Sequence, residues 1–167
     1  KKYLDLVALG TICDLVPLKK VNRLFAKKGL IEINKKTNTG IKVLLEKLNI
    51  KKKIEASDIS FYIGPCINAP GRIGDSSLGF RLLSSKDKHL FSNIAETLLR
   101  NNQERKTLEN IACKNAKKKI FHQNIKEKKF LFIHDKSWHP GIIGIIASRL
   151  TNEFKIPSII VSNKEKN

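Results

Sequence analysis

Methionine is absent from the sequence, even at the first position. We therefore expect the chain to be a piece of a longer protein rather than a complete translation product. No run of about 18 apolar residues occurs, which excludes a transmembrane helix. The first apolar stretch contains Asp5 and no small-residue cleavage site, which argues against a secretory signal peptide. With 167 residues the chain is still long enough to bury a sizeable apolar core.

Cysteine is scarce, and its three copies lie far apart in the sequence. Cys13, Cys66 and Cys113 form no C-x-x-C pair, and the four histidines form neither H-E-x-x-H nor another compact pair of ligands. This pattern excludes a disulfide framework and a zinc site of the finger type, and it favours a reducing compartment, the cytoplasm. We also expect that this segment alone cannot assemble a metal cage.

Acidic residues are few: 15 Asp and Glu stand against 33 Lys and Arg, for a net charge of +18. Such a charge attracts phosphate backbones or anionic surfaces. Compositional drift is an equally good explanation, because 27 of the basic residues are Lys and the chain is also rich in Ile and Asn, as AT-rich genes are. The six arginines are the more informative cations, since drift toward Lys has not removed them.

The first half of the chain predicts short helices. They are expected over residues 22–29, 39–48 and 76–83. Gly29 is expected to stop the first of them, and Ser57 to cap a helix that begins near it. Gly and Pro are dense over residues 64–74, which predicts an ordered loop rather than a helix or strand.

Residues 87–121 contain neither Gly nor Pro and carry an apolar stripe with helical spacing, which predicts one long helix. The stripe is interrupted by Asn101, Asn102 and Arg105 at the positions expected to face inward. A helix that is apolar at both ends and polar in its middle is typical of a connector exposed across a cleft between domains.

The end of the chain predicts a βαβ unit. Residues 129–135 have the pattern of a buried strand, 137–154 of a helix and 157–162 of a second strand. Two strands joined by one helix in about 30 residues are expected to be parallel.

Three segments contain residues suited to chemistry. Asp14 ends an apolar stretch. If its carboxylate is buried, it must be paired, hydrogen-bonded or bound to a metal. The commoner case is an Asp at the surface that ends a helix. Asn68 and Arg72 offer an amide and a guanidinium fork for phosphate oxygens in a stretch of small residues, or they belong to a plain connecting loop. His139 and Gly141 lie where the first predicted strand is followed by the helix. This turn could bind an anion at the N-terminus of the helix, or it could have a purely structural role.

Three long stretches resemble a known family. LDLVALGTICDLVPL, GPCINAPGRIG and WHPGIIGIIASRL are similar, in this order, to signature stretches of the RecJ family of single-stranded-DNA-specific exonucleases, within the DHH phosphoesterase superfamily. The pattern of Asn102, Arg105 and Glu109 is similar too. The resemblance covers essentially the whole chain. It implies an α/β fold: the helical C-terminal part of a DHH catalytic domain in residues 1–85, a connecting helix in 86–122, and the βαβ start of a DHH-associated domain in 123–167.

The resemblance also implies a function, namely metal-dependent 5′→3′ hydrolysis of single-stranded DNA in repair and recombination. Mn²⁺ or Mg²⁺ would occupy a two-metal site whose ligands lie mostly outside this segment, so that the segment alone is expected to be inactive. Asp14 is implied as the catalytic metal ligand. The implied nucleic-acid-binding residues are Asn68, Arg72, Arg105, His139 and Gly141. The implied partners are single-stranded DNA, a RecQ-type helicase and a single-strand-binding protein, with no membrane.

Departures from the family pattern leave alternatives open. Cys66 stands where the family usually has Arg, and Cys13 and Pro70 stand where it usually has Ala. Loss of that Arg is expected to remove a phosphate contact. One alternative is a different DHH phosphodiesterase that acts on short oligonucleotides or cyclic dinucleotides. Another is a degraded, non-catalytic relative that only binds nucleic acid.

Overall fold

The structure is a computed structural model that describes residues 3–85, 87–121 and 128–163. It is mostly helical with one small parallel sheet, which confirms the α/β class. In chain order, the elements are α1 (Leu4–Cys13), α2 (Lys20–Asn34), α3 (Thr39–Lys47), α4 (Ala56–Asp58), a π-helical segment (Ile59–Ile63), α5 (Gly64–Asn68), α6 (Pro70–Ile73), α7 (Ser77–Ser84), α8 (Lys88–Phe121), β1 (Leu131–His134), α9 (Ile143–Phe154) and β2 (Ser158–Val161).

The chain forms two compact units. The first unit comprises Lys1–Pro70 and Gly74–Asn102, and the second comprises Gly71–Ile73 and Gln103–Asn167. The domain division expected from the sequence, at 85/86 and 122/123, stays a prediction, and residues 86 and 122–127 at its boundaries lie outside the described residues. Within the described part of the chain, no helix is both long enough and apolar enough to cross a membrane.

Helices α1 and α2 pack closely in the first unit. The expected stop at Gly29 is wrong, because α2 continues to Asn34 and Gly29 is buried inside it. A Cβ atom at Gly29 would collide with the backbone oxygen of Leu4 and with the Cβ of Ala8. The glycine therefore allows the two helices to approach each other, and this close packing outweighs the lower helix propensity of glycine.

Helices α3 and α7 appear where the sequence predicts them, and both contribute to the apolar core of the first unit. The Asn38 side chain caps α3 by accepting from the Ile41 N–H at 3.1 Å, and it donates to the Leu83 oxygen at 3.2 Å. The expected cap at Ser57 is wrong. Helix α4 instead begins after Glu55, whose N–H donates to the Asp58 carboxylate at 3.0 Å.

The chain is almost continuously helical from Ala56 to Ile73, so the expectation of a loop over residues 64–74 is also wrong. Pro65 and Pro70 both lie at the first positions of short helices, where the fixed φ angle of proline suits the helix. The segment Ile59–Ile63 is π-helical, which places one extra residue inside the helical run.

The second unit contains the predicted βαβ arrangement. Strands β1 and β2 pair in parallel, with Leu131 opposite Ser158 and His134 opposite Val161. Helix α9 begins at Ile143, later than residue 137, because residues 137–142 form turns at the end of the strand. The side chains of α8, α9 and the two strands enclose one apolar core, in which the largest fully buried members are Ile120, Leu131, Ile142 and Ile146.

Helix α8 confirms the long helix expected over residues 87–121. The expectation that its polar middle is exposed is wrong: Asn102 and Glu109 are buried, and Asn101 and Arg105 are partly buried. Glu109 is accommodated by its ion pairs with Arg105 and Arg149, and the Asn102 amide nitrogen lies 3.2 Å from the Cys66 sulfur.

Candidate functional site

Asp14 lies at the C-terminal end of α1 in the first unit. Its backbone N–H donates to the Gly10 oxygen at 3.0 Å, and its side chain is exposed. Among the described residues, no hydrogen bond or ion pair engages the carboxylate. A helix C-terminus carries partial negative charge, so a carboxylate there is unfavourable unless a cation accompanies it. The structure thus shows a surface Asp at a helix end, in a place that suits a bound cation.

Cys13 connects Asp14 with the Gly- and Pro-rich segment. A Cβ atom on Gly64 would lie only 2.5 Å from the Cys13 sulfur, so the end of α1 and the start of α5 are in close contact. Burial, followed by the neighbouring Asp14 charge, raises the pKa of the Cys13 thiol to about 11. The thiol is therefore protonated at neutral pH, and it acts as a small packing group rather than as a metal ligand or a nucleophile.

Cys66 and Asn68 lie on opposite sides of α5. Cys66 is 1% exposed, and its sulfur is 3.2 Å from the Asn102 amide nitrogen, whereas Asn68 is exposed. The sequence comparison with the family suggests that Cys66 replaces a phosphate-binding Arg. In this structure position 66 faces the core of the first unit, so a long charged side chain has no room there.

Arg72, His139 and Gly141 form one cluster in the second unit. The Gly141 N–H donates to His139 Nδ1 at 3.0 Å, and the Gly141 oxygen accepts from Arg72 Nη1 at 3.3 Å. A Cβ atom on Gly141 would collide with the backbone oxygen of Arg72. The α6 turn and the turn before α9 are thus pressed together, and the absence of a side chain at Gly141 makes this possible.

The hydrogen bond to Gly141 also assigns the state of His139. Because Nδ1 accepts a hydrogen bond from the Gly141 N–H, the ring proton of a neutral imidazole lies on Nε2. Arg72 is exposed and His139 is partly buried. The cluster therefore combines a guanidinium with an imidazole, and each is hydrogen-bonded to a backbone atom of Gly141.

Arg105 belongs to an ion-pair network in the same unit. Its guanidinium pairs with the Glu109 carboxylate, and Arg149 Nη2 lies 2.9 Å from the second oxygen of Glu109. The Arg149 Nη1 group donates to the Asn110 side-chain oxygen at 3.2 Å. The Glu109 side chain is 1% exposed and that of Arg105 is 13% exposed. Sequence reasoning missed Arg149, although the Arg105 and Glu109 spacing of four residues is a recognisable signal for a helical ion pair.

The residues expected to act together therefore fall into two groups. Asp14 and Asn68 belong to the first unit, whereas Arg72, Arg105, His139 and Gly141 belong to the second. Within the described ranges, no three His, Cys, Asp or Glu side chains are close enough to hold a metal ion. Asp14 offers the oxygen donor that hard divalent cations prefer, but one carboxylate does not make a metal centre.

Comparison with known proteins identifies the relatives of the chain. No family model matches the sequence. The single-stranded-DNA-specific exonuclease RecJ of Escherichia coli is 38% identical over 163 residues, which cover 95% of this chain and 28% of that protein. RecJ of Bacillus subtilis is 33% identical over 167 residues, covering 99% of this chain and 21% of that protein. Over nearly its whole length, the chain is similar to one segment of RecJ.

Solved structures agree with the sequence comparison. The crystal structure of Thermus thermophilus RecJ in complex with Mn²⁺ matches with a TM-score of 0.84 and 34% identity, over 96% of this chain and 24% of that one. A crystal structure of exonuclease RecJ bound to manganese matches with a TM-score of 0.83 and 32% identity, over 96% of this chain and 40% of that one. The RecJ resemblance thus extends to the fold, and the chain spans about a quarter of the length of the curated relatives it matches.

Proposed function

We propose that this chain is part of a metal-dependent exonuclease that hydrolyses single-stranded DNA from its 5′ end, in DNA repair and recombination. The observation that carries the proposal is the similarity to RecJ in sequence and in fold along at least 95% of the chain. The close contact between Arg72 and Gly141, which both lie in the second unit and belong to two of the stretches that resemble RecJ, supports it.

Asp14 is proposed as one ligand of Mn²⁺ or Mg²⁺ in a two-metal site. The support comes from its exposed carboxylate at a helix C-terminus and from the manganese named in both RecJ structures. The remaining ligands would come from outside the described residues. When bound, such ions activate a water molecule and stabilise the leaving oxygen of a phosphodiester.

Asn68, Arg72, Arg105, His139 and Gly141 are proposed as the nucleic-acid-binding residues. Arg72 is exposed, and its fork of N–H donors suits phosphate oxygens. The Nδ1 atom of His139 accepts from the Gly141 N–H, so the Nε2–H is the group of this ring that can donate to a phosphate oxygen. Arg105 shares its charge with the buried Glu109, so it is expected to contribute less to phosphate binding than Arg72 does.

We further propose that the protein works in the cytoplasm with a RecQ-type helicase and a single-strand-binding protein, and that it has no membrane partner. The support is the RecJ resemblance and the wide spacing of Cys13, Cys66 and Cys113 in the sequence, which form no C-x-x-C pair. Co-purification of the full-length protein from the soluble fraction with either partner would test this.

The decisive experiment measures nucleotide release from 5′-labelled single-stranded DNA by the full-length protein, with Mn²⁺ and with EDTA. Wild type is expected to be active only with metal, and Asp14→Asn to lose at least about 100-fold in turnover. Glu46→Gln, an exposed carboxylate on α3, is the matched control and should behave as wild type. Residues 1–167 alone are expected to release no nucleotide.

Two results would redirect the proposal. Preferential hydrolysis of dinucleotides or cyclic dinucleotides over long strands would identify a different DHH phosphodiesterase. Binding of single strands by wild type, without release in the presence of either metal, would identify a non-catalytic relative.

A further inference from the structure

A groove lies in the second unit between the second half of α8 and the second half of α9. Its volume is about 290 Å³, which is enough for a phosphate group with part of its hydration shell. Three basic side chains line it, Lys114, Lys117 and Arg149, together with one carboxylate, Glu153. None of these residues was singled out as a binding residue by the sequence or by the family resemblance.

Arg149 is the fixed cation of this groove. Its two terminal nitrogens are bound to Glu109 and Asn110, at 2.9 and 3.2 Å. Glu109 is fully buried, yet 46% of the Arg149 side chain remains exposed. The guanidinium is therefore held in one orientation while part of it faces the solvent, so binding an anion requires little further loss of side-chain freedom.

Lys114 is the available cation. In the described part of the chain no acidic group pairs with it, and it lines the same groove as Arg149. Lys117 is instead paired with Glu153 at 2.7 Å, with both side chains about half exposed. The lining thus carries three positive charges and one negative charge, with Glu109 buried beneath Arg149. An anion bound here would meet Lys114 and the exposed part of Arg149 first.

Helix α9 connects the groove to the Arg72, His139 and Gly141 cluster. His139 and Gly141 immediately precede α9, and Arg149 lies in its second half, seven positions after Ile142. Seven residues of helix span about 10 Å along the axis. A stacked single strand covers that distance with roughly three nucleotides.

We propose that the groove formed by Lys114, Lys117 and Arg149 binds a phosphate of a nucleic-acid strand that passes the Arg72, His139 and Gly141 cluster. This inference rests on the proposed function, and it adds a second point of contact with the strand backbone. The contact is made with phosphate alone, so it increases affinity without selecting a base sequence.

The test uses the full-length protein in EDTA, so that no hydrolysis occurs, and follows the anisotropy of a fluorescent single-stranded oligonucleotide over a range of salt concentrations. Lys114→Gln is expected to lower the slope of log K against log salt by about 0.7 and to weaken binding about fivefold at 0.1 M salt. Lys42→Gln removes the same charge from an exposed site on α3 and is expected to leave the slope unchanged.

Glu153→Gln tests the same groove in the opposite direction. Removing this carboxylate frees Lys117 and is expected to tighten binding several-fold, whereas Glu46→Gln on α3 should have no such effect. Equal effects of Lys114→Gln and Lys42→Gln would overturn the inference while leaving the proposed function intact. Failure of wild type to bind single strands at all would overturn both.

A measurement with inorganic phosphate distinguishes a groove that binds free phosphate from one that binds the phosphate of a nucleic-acid strand. At constant ionic strength, phosphate alone is expected to leave the unfolding temperature of wild type and of Lys114→Gln equally unchanged. Stabilisation of wild type alone would show that the groove binds free phosphate, and it would contradict the assignment to a nucleic-acid strand.

Discussion

The backbone oxygen of Arg72 occupies the space that a Cβ atom on Gly141 would take. The two residues are 69 positions apart, and the Arg72 guanidinium also donates to the Gly141 oxygen at 3.3 Å. A backbone contact and a side-chain hydrogen bond therefore both hold Arg72 against Gly141. Gly71–Ile73 consequently belongs to the second unit, although the residues on both sides of it in the sequence belong to the first.

Gly141→Ala is expected to separate these two turns. The added methyl group cannot be accommodated without a backbone shift, which typically destabilises a protein by about 1–3 kcal/mol. Thermal unfolding of the full-length protein measures the loss, and DNA affinity should fall with it because Arg72 is displaced. Gly144→Ala is the matched control. Nothing lies within 4 Å of its Cβ position in α9, so it should be neutral or stabilising by up to about 1 kcal/mol.

Replacing His139 tests the bond from its Nδ1 to the Gly141 N–H. His139→Asn retains an oxygen acceptor near the position of Nδ1, so stability should stay close to that of wild type. His139→Ala leaves the Gly141 N–H without this acceptor and should lose about 1 kcal/mol. Denaturant unfolding of both variants provides the comparison, and equal stability of the two would show that the bond does not support the turn.

Glu109→Gln is expected to be the most destabilising of the polar substitutions. It removes the charge that Arg105 and Arg149 share, and breaking a buried ion pair from one side costs about 3 kcal/mol. Denaturant unfolding measures the loss of stability. The control is Glu104→Gln, which replaces an exposed carboxylate on the same helix. A loss no larger than that of the control would mean that the network contributes nothing to stability.

Cys66→Arg restores the residue that is usual in the RecJ family, yet it is not expected to restore a phosphate contact. Cys66 is 1% exposed, so the arginine would place its charge in the apolar core of the first unit. The expected result is lower thermal stability and no gain in affinity for single-stranded DNA, whereas Cys66→Ala should bind DNA as wild type does. Tighter binding by a stably folded Cys66→Arg variant would contradict the buried orientation.

Asp58 is expected to make stability depend on acid pH. The Glu55 N–H, and then Lys52 at 2.9 Å, lower the pKa of this carboxyl in the folded state. A lowered pKa means that the stabilisation is complete above about pH 4, the unfolded-state value, and is lost as the pH falls through the folded-state value. Asp58→Asn should therefore be less stable at neutral pH and lose less stability on acidification. Unfolding curves from pH 7 to pH 2 test this, with Glu46→Gln as control.

Local pattern was sufficient to predict the regular parts of the fold. The long helix and the βαβ unit follow from apolar spacing, and α8, β1, α9 and β2 confirm them. The errors arose where tertiary packing or position within a helix decides the outcome. Gly29 permits a helix contact instead of ending a helix, and Pro65 and Pro70 begin helices instead of breaking them.

The sequence selects the candidate residues one by one, and it does not predict their spatial arrangement. Arg72, His139 and Gly141 could each be selected from short motifs, whereas their contact depends on a tertiary approach across 69 residues. The burial of Cys66 and of Glu109 likewise depends on neighbours that no single helix supplies. Arg149 was missed because its partner, Glu109, lies 40 positions earlier in the chain.

The π-helical segment Ile59–Ile63 determines the direction in which each following side chain, up to Ile73, leaves the helix axis. Each residue of a helix advances it by about 100°, so deleting one residue from this segment would rotate α5 by that amount. Cys66 would then turn out of the core and Asn68 would turn away from its present outward direction. The extra residue in the π-helical segment, rather than the GPCINAPGRIG motif itself, thus decides which side chains of the motif are exposed.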